Sequence, residues 1–494
     1  MTAKLTLAAL ICAFGIAGCV SPGKTNGPEP AVRETQVPVQ RPNVLLILAD
    51  DLGAQAVGCY GNDEVHTPAI DALARRGVRW ERAYAQFPIC APARAALMSG
   101  MYPARNGVLG NGSAGRLEEV LGERATLAEH FRRHGYHTAR VSKVFHMRVP
   151  GDITAGVSGF DHPESWDEVF NVQAPEWASE GFGYQISNYR LRFERDKHYD
   201  LGFGAAFYAV EVRGEGLEQA DNQASERAAQ WLHEAAQQPD QPFFLAVGFV
   251  RPHVPLVAPE RFFEPYVAEQ LSLPTVPAGD RDDMAAAGIH MTSESAGLTE
   301  ALQRQRVLRA YYASVSYMDD QVRKVLEALD AAGLAQNTIV VFASDHGYHL
   351  GEHGLWQKQG LHEESVRIPL VMAGPGIGDG GQVSGHPVEA IDLFPTLCDL
   401  AGLPVPEHCQ GSNLLQPGAP HRPYAFAQAS KGNLVRTRDW ALLSFDGGQE
   451  ELYEMRGDPG QFHNLARQPE QAAILGELRE TRDQHLQQWA GPKP

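Results

Sequence analysis

Cysteine is scarce in this chain. Six occur in 494 residues, none in a zinc-ligand spacing, which excludes a cysteine-rich scaffold and a structural zinc module. Positive charge is also short: 42 lysines and arginines face 60 aspartates and glutamates, a formal charge of −18. That field argues against nucleic acid and against general attraction to polyanions, so any anionic substrate must meet a local cluster of cations. No internal repeat is present, and the N-terminal apolar run from Leu5 to Ile16 is too short to span a bilayer. What remains is a globular composition, 43% hydrophobic, able to bury one large core or two unequal ones.

The N-terminal run follows Lys4 and ends in Ile16-Ala17-Gly18-Cys19, the pattern of a signal peptide closing on a lipoprotein box. Residues 1–18 are therefore expected to be removed and Cys19 acylated, with a plain cleaved signal as the alternative. In both cases the protein is exported, and the lipid is its only expected hold on a membrane. Residues 19–40, rich in Pro, Gly and polar side chains, read as a tether. A large domain over 41–415 and a smaller C-terminal one over 416–494 follow. Cys398 and Cys409 are close enough to pair in an oxidising compartment, leaving Cys59 as a buried thiol.

Two continuous apolar runs, Val44 to Ala49 and Thr338 to Ala343, have the character of strands buried on both faces of a parallel sheet. The first ends in Asp50-Asp51 and the second in Asp345-His346-Gly347. Carboxylates at such strand ends stand where open α/β sheets place ligands, and they suit a hard divalent cation; capping of the strand end is the bland alternative. Helices starting at Thr67 and Thr126 and a third around Ala224 to Ala236 alternate with strands His137 to Ser142 and Phe243 to Phe249. The result is an α/β fold with a large, mixed, mostly parallel central sheet and helices on both faces. A long helical pattern from Val307 to Leu329, with room for a break, precedes the second acidic strand. Ala278 to Ser295 reads as an exposed loop. Residues 151–216 lack regular period but are dense in aromatics, including Trp166, Tyr184, Tyr189, Tyr199, Phe203 and Tyr208, and read as an insertion beside an active-site mouth where exposed rings could stack on sugars or pack in the core. The C-terminal part has an antiparallel pattern (Leu434 to Thr437, Trp440 to Phe445, Glu451 to Glu454) and a final helix, making a small α+β subdomain.

Cys90-Ala91-Pro92-Ala93-Arg94 opens a short helix that stops before Gly100. Cys90 is thus at a helix N-terminus, where free N–H groups favour an anion, and Arg94 can offer a planar fork to tetrahedral oxygens. On residues alone, a buried structural cysteine is equally open. Lys143 and His146 at the exit of one strand, and Arg251 and His253 at the exit of another, are either solvated groups or parts of the same site.

Taken together, Gly58-Cys59-Tyr60-Gly61, Cys90 to Arg94, Lys143-Val144-Phe145-His146, Arg251-Pro252-His253, Asp345-His346-Gly347 and Leu350-Gly351-Glu352-His353-Gly354 resemble the type I sulfatases of the alkaline-phosphatase-like superfamily, most nearly the iduronate-2-sulfatases. The resemblance runs from Arg41 to the C-terminus, where Glu451-Leu452-Tyr453 and Asp458-Pro459 match a family signature. It implies that a maturation enzyme converts Cys90 to formylglycine, and that Asp50, Asp51, Asp345 and His346 hold Ca2+ with that residue. Arg94, Lys143, His146, His253 and Lys358 would surround it and the sulfate. A hydrated aldehyde would supply the attacking hydroxyl, His253 or Lys358 would protonate the leaving alcohol, and His146 would take the proton of the second hydroxyl. The implied substrate is a sulfated oligosaccharide or polysaccharide, most nearly a 2-O-sulfated uronate, with Arg251 as candidate partner of the sugar carboxylate. A marine galactan, fucan or ulvan sulfate, a phosphonate or phosphodiester substrate, and a non-catalytic carbohydrate-binding lipoprotein are the alternatives.

Overall fold

The computed structural model describes residues 41–186, 207–378, 380–416 and 422–489. Cys19, the expected tether, and Tyr189, Tyr199 and Phe203 lie outside them. The apolar run predicted as a buried strand is β1 (Asn43–Asp50), without one exposed residue. Its side chains divide by alternation: Leu45, Ile47 and Ala49 enter one core cluster, Val44, Leu46 and Leu48 another. A strand buried on both faces needs helices on both, and the chain supplies them. α1 (Pro68–Arg76), α4 (Ala220–Ala235) and the long α5 (Ala301–Ala331) contribute to the first cluster; α2 (Cys90–Ser99), α3 (Leu127–Arg133) and α6 (Leu393–Leu400) contribute to the second. α5 is continuous, with no break.

Around β1 stand β2 (Val78–Tyr84), β3 (His137–Ser142), β4 (Glu168–Phe170), β5 (Phe243–Pro252), β6 (Thr338–Ser344), β7 (Arg367–Ile368), β8 (Leu370–Ala373) and β9 (Gln382–Glu389). Strands β6, β1, β5, β3 and β4 lie side by side and run parallel. β2 pairs antiparallel with β7 and β8 and parallel with β9. This is the mixed, mostly parallel sheet expected from the sequence.

Register decides what happens at one edge. Ala49 is level with Ser344 on β6, and Ser142 of β3 is level with Gly248 of β5, so Asp50, Asp345, Lys143 and His253 all leave the sheet at the same end. Close approach there depends on Gly248: a Cβ at that position would lie 1.8 Å from the carbonyl oxygen of Lys143. Glycine is the residue that lets the two chains pass.

β10 (Tyr424–Ala429), β11 (Gly432–Thr437), β12 (Trp440–Phe445) and β13 (Glu450–Glu454) form an antiparallel sheet, followed by α7 (Ala472–Gln488). The sequence pattern showed three of these strands; β10, with short alternating side chains, was not among them. The segment from Ala278 to Ser295 is not a simple exposed loop, because Met284 and Ala285 are buried and the Ala285 N–H donates to Glu451 Oε1 at 2.5 Å, tying it to β13. Within 151–216, residues Gly181–Gln185 pair with Tyr208–Val212, which also pairs with Leu256–Pro259. Cys398 and Cys409 are free thiols, not a disulfide: Cys398 is buried in α6 and Cys409 packs beside Gly100. Cys59 is half-buried. Among the described residues, no helix is long and apolar enough to cross a membrane.

α7 is anchored by His485, whose buried ring stacks on Phe426 at 3.7 Å between centroids. Burial first, then the charge of Arg422, lowers its pKa to about 3, so it is folded in as a neutral ring. An unfolded chain, with an ordinary histidine pKa, binds a proton that the folded chain refuses between those two values, and stability must fall as pH drops through that window. The share of His485 between pH 7 and pH 5 is about 2 kcal/mol. Urea unfolding of His485→Gln should show a correspondingly shallower loss of stability over that interval; an unchanged slope would show that His485 is protonated without cost.

Candidate active site

Asp50 is the last residue of β1, and its carboxylate is wholly buried. It accepts from Lys143 Nζ at one oxygen and from Arg94 Nη2 at 3.3 Å at the other. Burial alone would raise its pKa, but the charges of Lys143 and Arg94 outweigh this and hold it well below the carboxylate range. Asp51 follows in the left-handed region (φ 64°), which turns the second carboxylate back toward β6 instead of out to the opposite face. Its N–H donates to Asp345 Oδ1 at 3.1 Å, and Tyr311 of α5 donates to its carbonyl oxygen at 2.5 Å. Asp345 Oδ1 also accepts from the His346 N–H, at 2.9 Å. Burial, with the charge of Asp50 beside it, pushes Asp345 upward against the pull of His346 and Arg94.

Arg94 lies one turn into α2 and is 1% exposed. Its Nε donates to Asp345 Oδ2 at 2.9 Å, Nη1 to the carbonyl oxygens of Lys143 and Val144, and Nη2 to Ala49 O and Asp50 Oδ1. The expected fork to a tetrahedral anion is therefore corrected. Its donors are taken up by the protein, and the guanidinium braces two carboxylates and the end of β3.

Cys90, the first residue of α2, places Sγ 3.2 Å from Lys358 Nζ, 3.4 Å from His346 Nε2 and 3.8 Å from Asp51 Oδ1. Lys358 Nζ also donates to Asp51 Oδ1 at 2.6 Å. His346 Nδ1 lies 2.9 Å from the carbonyl oxygen of Gly347, which assigns the proton to Nδ1 and turns the Nε2 lone pair toward Cys90 and Asp51. Backbone strain collects here: Ser142 precedes Lys143, and Gln357 and Gln359 flank Lys358, all with positive φ. His253 sits with Nε2 3.7 Å from Asp51 Oδ2 and Nδ1 2.5 Å from the carbonyl oxygen of Val254. Burial, only partly offset by Asp51, brings it down to about 3. Burial likewise takes His146 to about 2, and its Nδ1 has no hydrogen-bond partner. Both rings are neutral at pH 7. Lys143 and Lys358 carry the positive charge that the chain as a whole lacks.

Asp50, Asp51 and Asp345 bring carboxylate oxygens within 4.8 Å of one another, and Asp51 Oδ2 is buried without a hydrogen-bond partner. Anionic oxygens so crowded are stable only with concentrated positive charge, and the set fits a hard divalent cation.

Arg251 is not where the sequence reading placed it. Only 2% exposed, it directs Nη2 at both oxygens of Glu176, at 2.6 and 2.5 Å, and Nη1 at the carbonyl oxygens of His253 and Pro255. It is neither a surface arginine nor open to a sugar carboxylate, and it fixes the loop that carries His253. Sequence reading missed Glu176 and Asp221, which accepts from the N–H groups of Val250 and Arg251. It also missed Ser344 Oγ, which accepts from the Leu52 N–H at 3.0 Å, and Tyr311, which reads as core. These are single residues joined across long stretches of chain, with no local motif to mark them.

Carboxylates and lysines at the ends of parallel strands around a thiol at a helix start define an ester hydrolase of the alkaline-phosphatase-like class. The sulfatase family model matches residues 42–403, and a model described as N-sulphoglucosamine sulphohydrolase, C-terminal, matches residues 351–488. The chain belongs to the sulfatase family and is a sulfuric ester hydrolase. It is 30% identical to a sulfatase of Formosa agariphila over 88% of this chain and 85% of that one. It is 34% identical to iduronate 2-sulfatase of Mus musculus, over 74% and 70%. Its fold superposes on a phosphonate monoester hydrolase of Agrobacterium radiobacter with a TM-score of 0.71 at 26% identity, covering 90% and 96% of the two chains.

Removing Glu176 would leave the Arg251 guanidinium buried and uncompensated. Glu176→Ala should lower the free energy of unfolding by about 3–5 kcal/mol, and adding Arg251→Met should recover part of that loss. Denaturant unfolding of both variants is the check, and a loss below about 1 kcal/mol for Glu176→Ala would show the pair to be incidental.

Proposed function

We propose that this sulfatase is exported, is anchored by lipid on Cys19, and removes O-sulfate groups from polysaccharide-derived sugars through a formylglycine made from Cys90 by a maturation enzyme. The observation that carries the reading is the position of Cys90 Sγ, within 3.8 Å of Lys358, His346 and Asp51, which reach it from two distant parts of the chain. A structural thiol would be packed among apolar atoms. An aldehyde at that point would supply, when hydrated, the attacking hydroxyl; Asp50, Asp51, Asp345 and His346 would hold Ca2+, which would supply Lewis acidity.

The chain's own groups supply the rest. Lys143 and Lys358 offset negative charge as it develops on the ester oxygens. Burial opposes the charge of Lys358, but Asp51 outweighs it and keeps Nζ cationic beside the ester, and His253 or Lys358 stands to protonate the leaving alcohol. The neutral His146 ring accepts a proton at a free nitrogen, and His253, with Nδ1 facing the Val254 carbonyl, directs Nε2 into the site.

Similarity to iduronate 2-sulfatase supports a 2-O-sulfated uronate as substrate. The burial of Arg251 favours a second reading, a sugar sulfate without a carboxylate, as in marine galactans or fucans. Disaccharides bearing sulfate esters from heparin, dermatan, ulvan and carrageenan separate the two, and an aryl phosphonate ester tests the alternative suggested by the phosphonate hydrolase fold.

Peptide mass spectrometry should find an aldehyde at Cys90 in protein made with the maturation enzyme, and Cys90→Ala should lower turnover of p-nitrophenyl sulfate by at least roughly a thousandfold while leaving the unfolding midpoint in place. Wild-type turnover without any aldehyde would refute the reading.

A further inference from the structure

A pocket of about 150 Å3 opens on the flank of α2 beside the catalytic cluster, lined by Ala91, Arg94 and His146 on the inner side and by Glu118, Phe160 and His162 further out. Three features make it a built site. His146 is 94% buried, and its Nδ1 has no partner in the protein. Phe160 is 43% exposed although its ring lies nearly parallel to that of His146, 15° between planes, and its N–H donates to the His146 carbonyl oxygen at 2.9 Å. Its placement is imposed by Gly159, at φ 63°, where a Cβ would stand 2.6 Å from that same oxygen. Gly115 faces the Phe160 ring and leaves it uncovered, since a Cβ there would be 3.5 Å from the ring edge.

Charge narrows the occupant. The Arg94 donors are taken up by the Asp50 and Asp345 carboxylates and by carbonyls. Asp161, also on the pocket wall, is paired with Arg140 at 2.7 Å, and the Glu118 carboxylate has no partner among the described residues. The walls thus offer an aromatic face, the His146 and His162 rings and an unpaired carboxylate, and among the described residues of the lining no lysine and no arginine with a donor to spare for a second anion. Sugar C–H bonds, slightly positive, suit the negative face of an aromatic ring, and hydroxyls suit the carboxylate.

Resting on the sulfatase reading above, we propose that this pocket is a subsite for an uncharged pyranose residue next to the one that carries the sulfate, stacked on Phe160 and hydrogen-bonded by Glu118. The substrate is then at least a disaccharide whose neighbouring residue bears neither carboxylate nor sulfate.

The test compares kcat/KM for sulfated disaccharides of the four glycans with that for p-nitrophenyl sulfate, as a ratio within each enzyme. Phe160→Ala should lower the ratio for the preferred disaccharide roughly tenfold, the worth of a modest apolar contact. Glu118→Lys, on an exposed helix turn, should shift preference toward disaccharides whose neighbouring residue is acidic. Equal loss on both substrate types in Phe160→Ala, or an unchanged preference in Glu118→Lys, would overturn the subsite. Saturation-transfer NMR with the desulfated disaccharides needs no ester cleavage. Transfer lost on Phe160→Ala supports the subsite even if the ester proves not to be a sulfate, and transfer equal in both proteins refutes it.

Discussion

Everything at the working edge of this protein follows from placing carboxylates at the ends of two adjacent, fully buried strands. β1 and β6 run in parallel register, so Asp50-Asp51 and Asp345 must emerge together, away from water. Left alone, such a cluster would be several kcal/mol unfavourable per charge. The surrounding structure is arranged to answer that cost. Arg94 reaches across from α2 with Nε and Nη2 on two of the carboxylates, Lys143 comes from the end of β3, and Lys358 comes from a loop with strained backbone on both sides. Cys90 is held among these groups because α2 must start there for Arg94, one turn later, to reach the strand ends.

The same arrangement explains how much could be read in the sequence. Strand β1 declares itself as a continuous apolar run, and its terminal Asp50-Asp51 is adjacent in sequence, so half of the cage is legible without a structure. Cys90 and Arg94 belong to one helical turn and were legible together. The direction of Arg94 was not: a guanidinium near a helix start suits an external anion and an internal carboxylate equally, and only the position of Asp345, some 250 residues away, decides between them. Arg251 misled for a related reason. Next to His253 it has the look of a substrate ligand, but its partner Glu176 lies 75 residues earlier in a stretch with no periodicity. The Cys398–Cys409 pairing failed because sequence separation says nothing about the direction a thiol takes from α6.

The resulting site separates two tasks. In the proposed function, charge recognition of the ester falls to Lys143 and Lys358, and it carries no information about the sugar. In the proposed subsite, sugar recognition falls to the walls outside that cluster, where the chain presents an aromatic face and carboxylates and keeps Arg251 buried. The excess of acidic residues argues against general attraction to polyanions, and Lys143 and Lys358 are the local cations that an anionic ester would then require.

On this reading the buried carboxylates form a metal cage. Plasma mass spectrometry of purified protein, dialysed against metal-free buffer, measures this directly. A cage requires close to one calcium per chain in the wild type, with Asp51→Ala and Asp345→Ala losing both the metal and sulfate-ester turnover. Full turnover with no divalent metal at stoichiometric level would contradict it, and would mean that Arg94, Lys143 and Lys358 alone balance the three carboxylates.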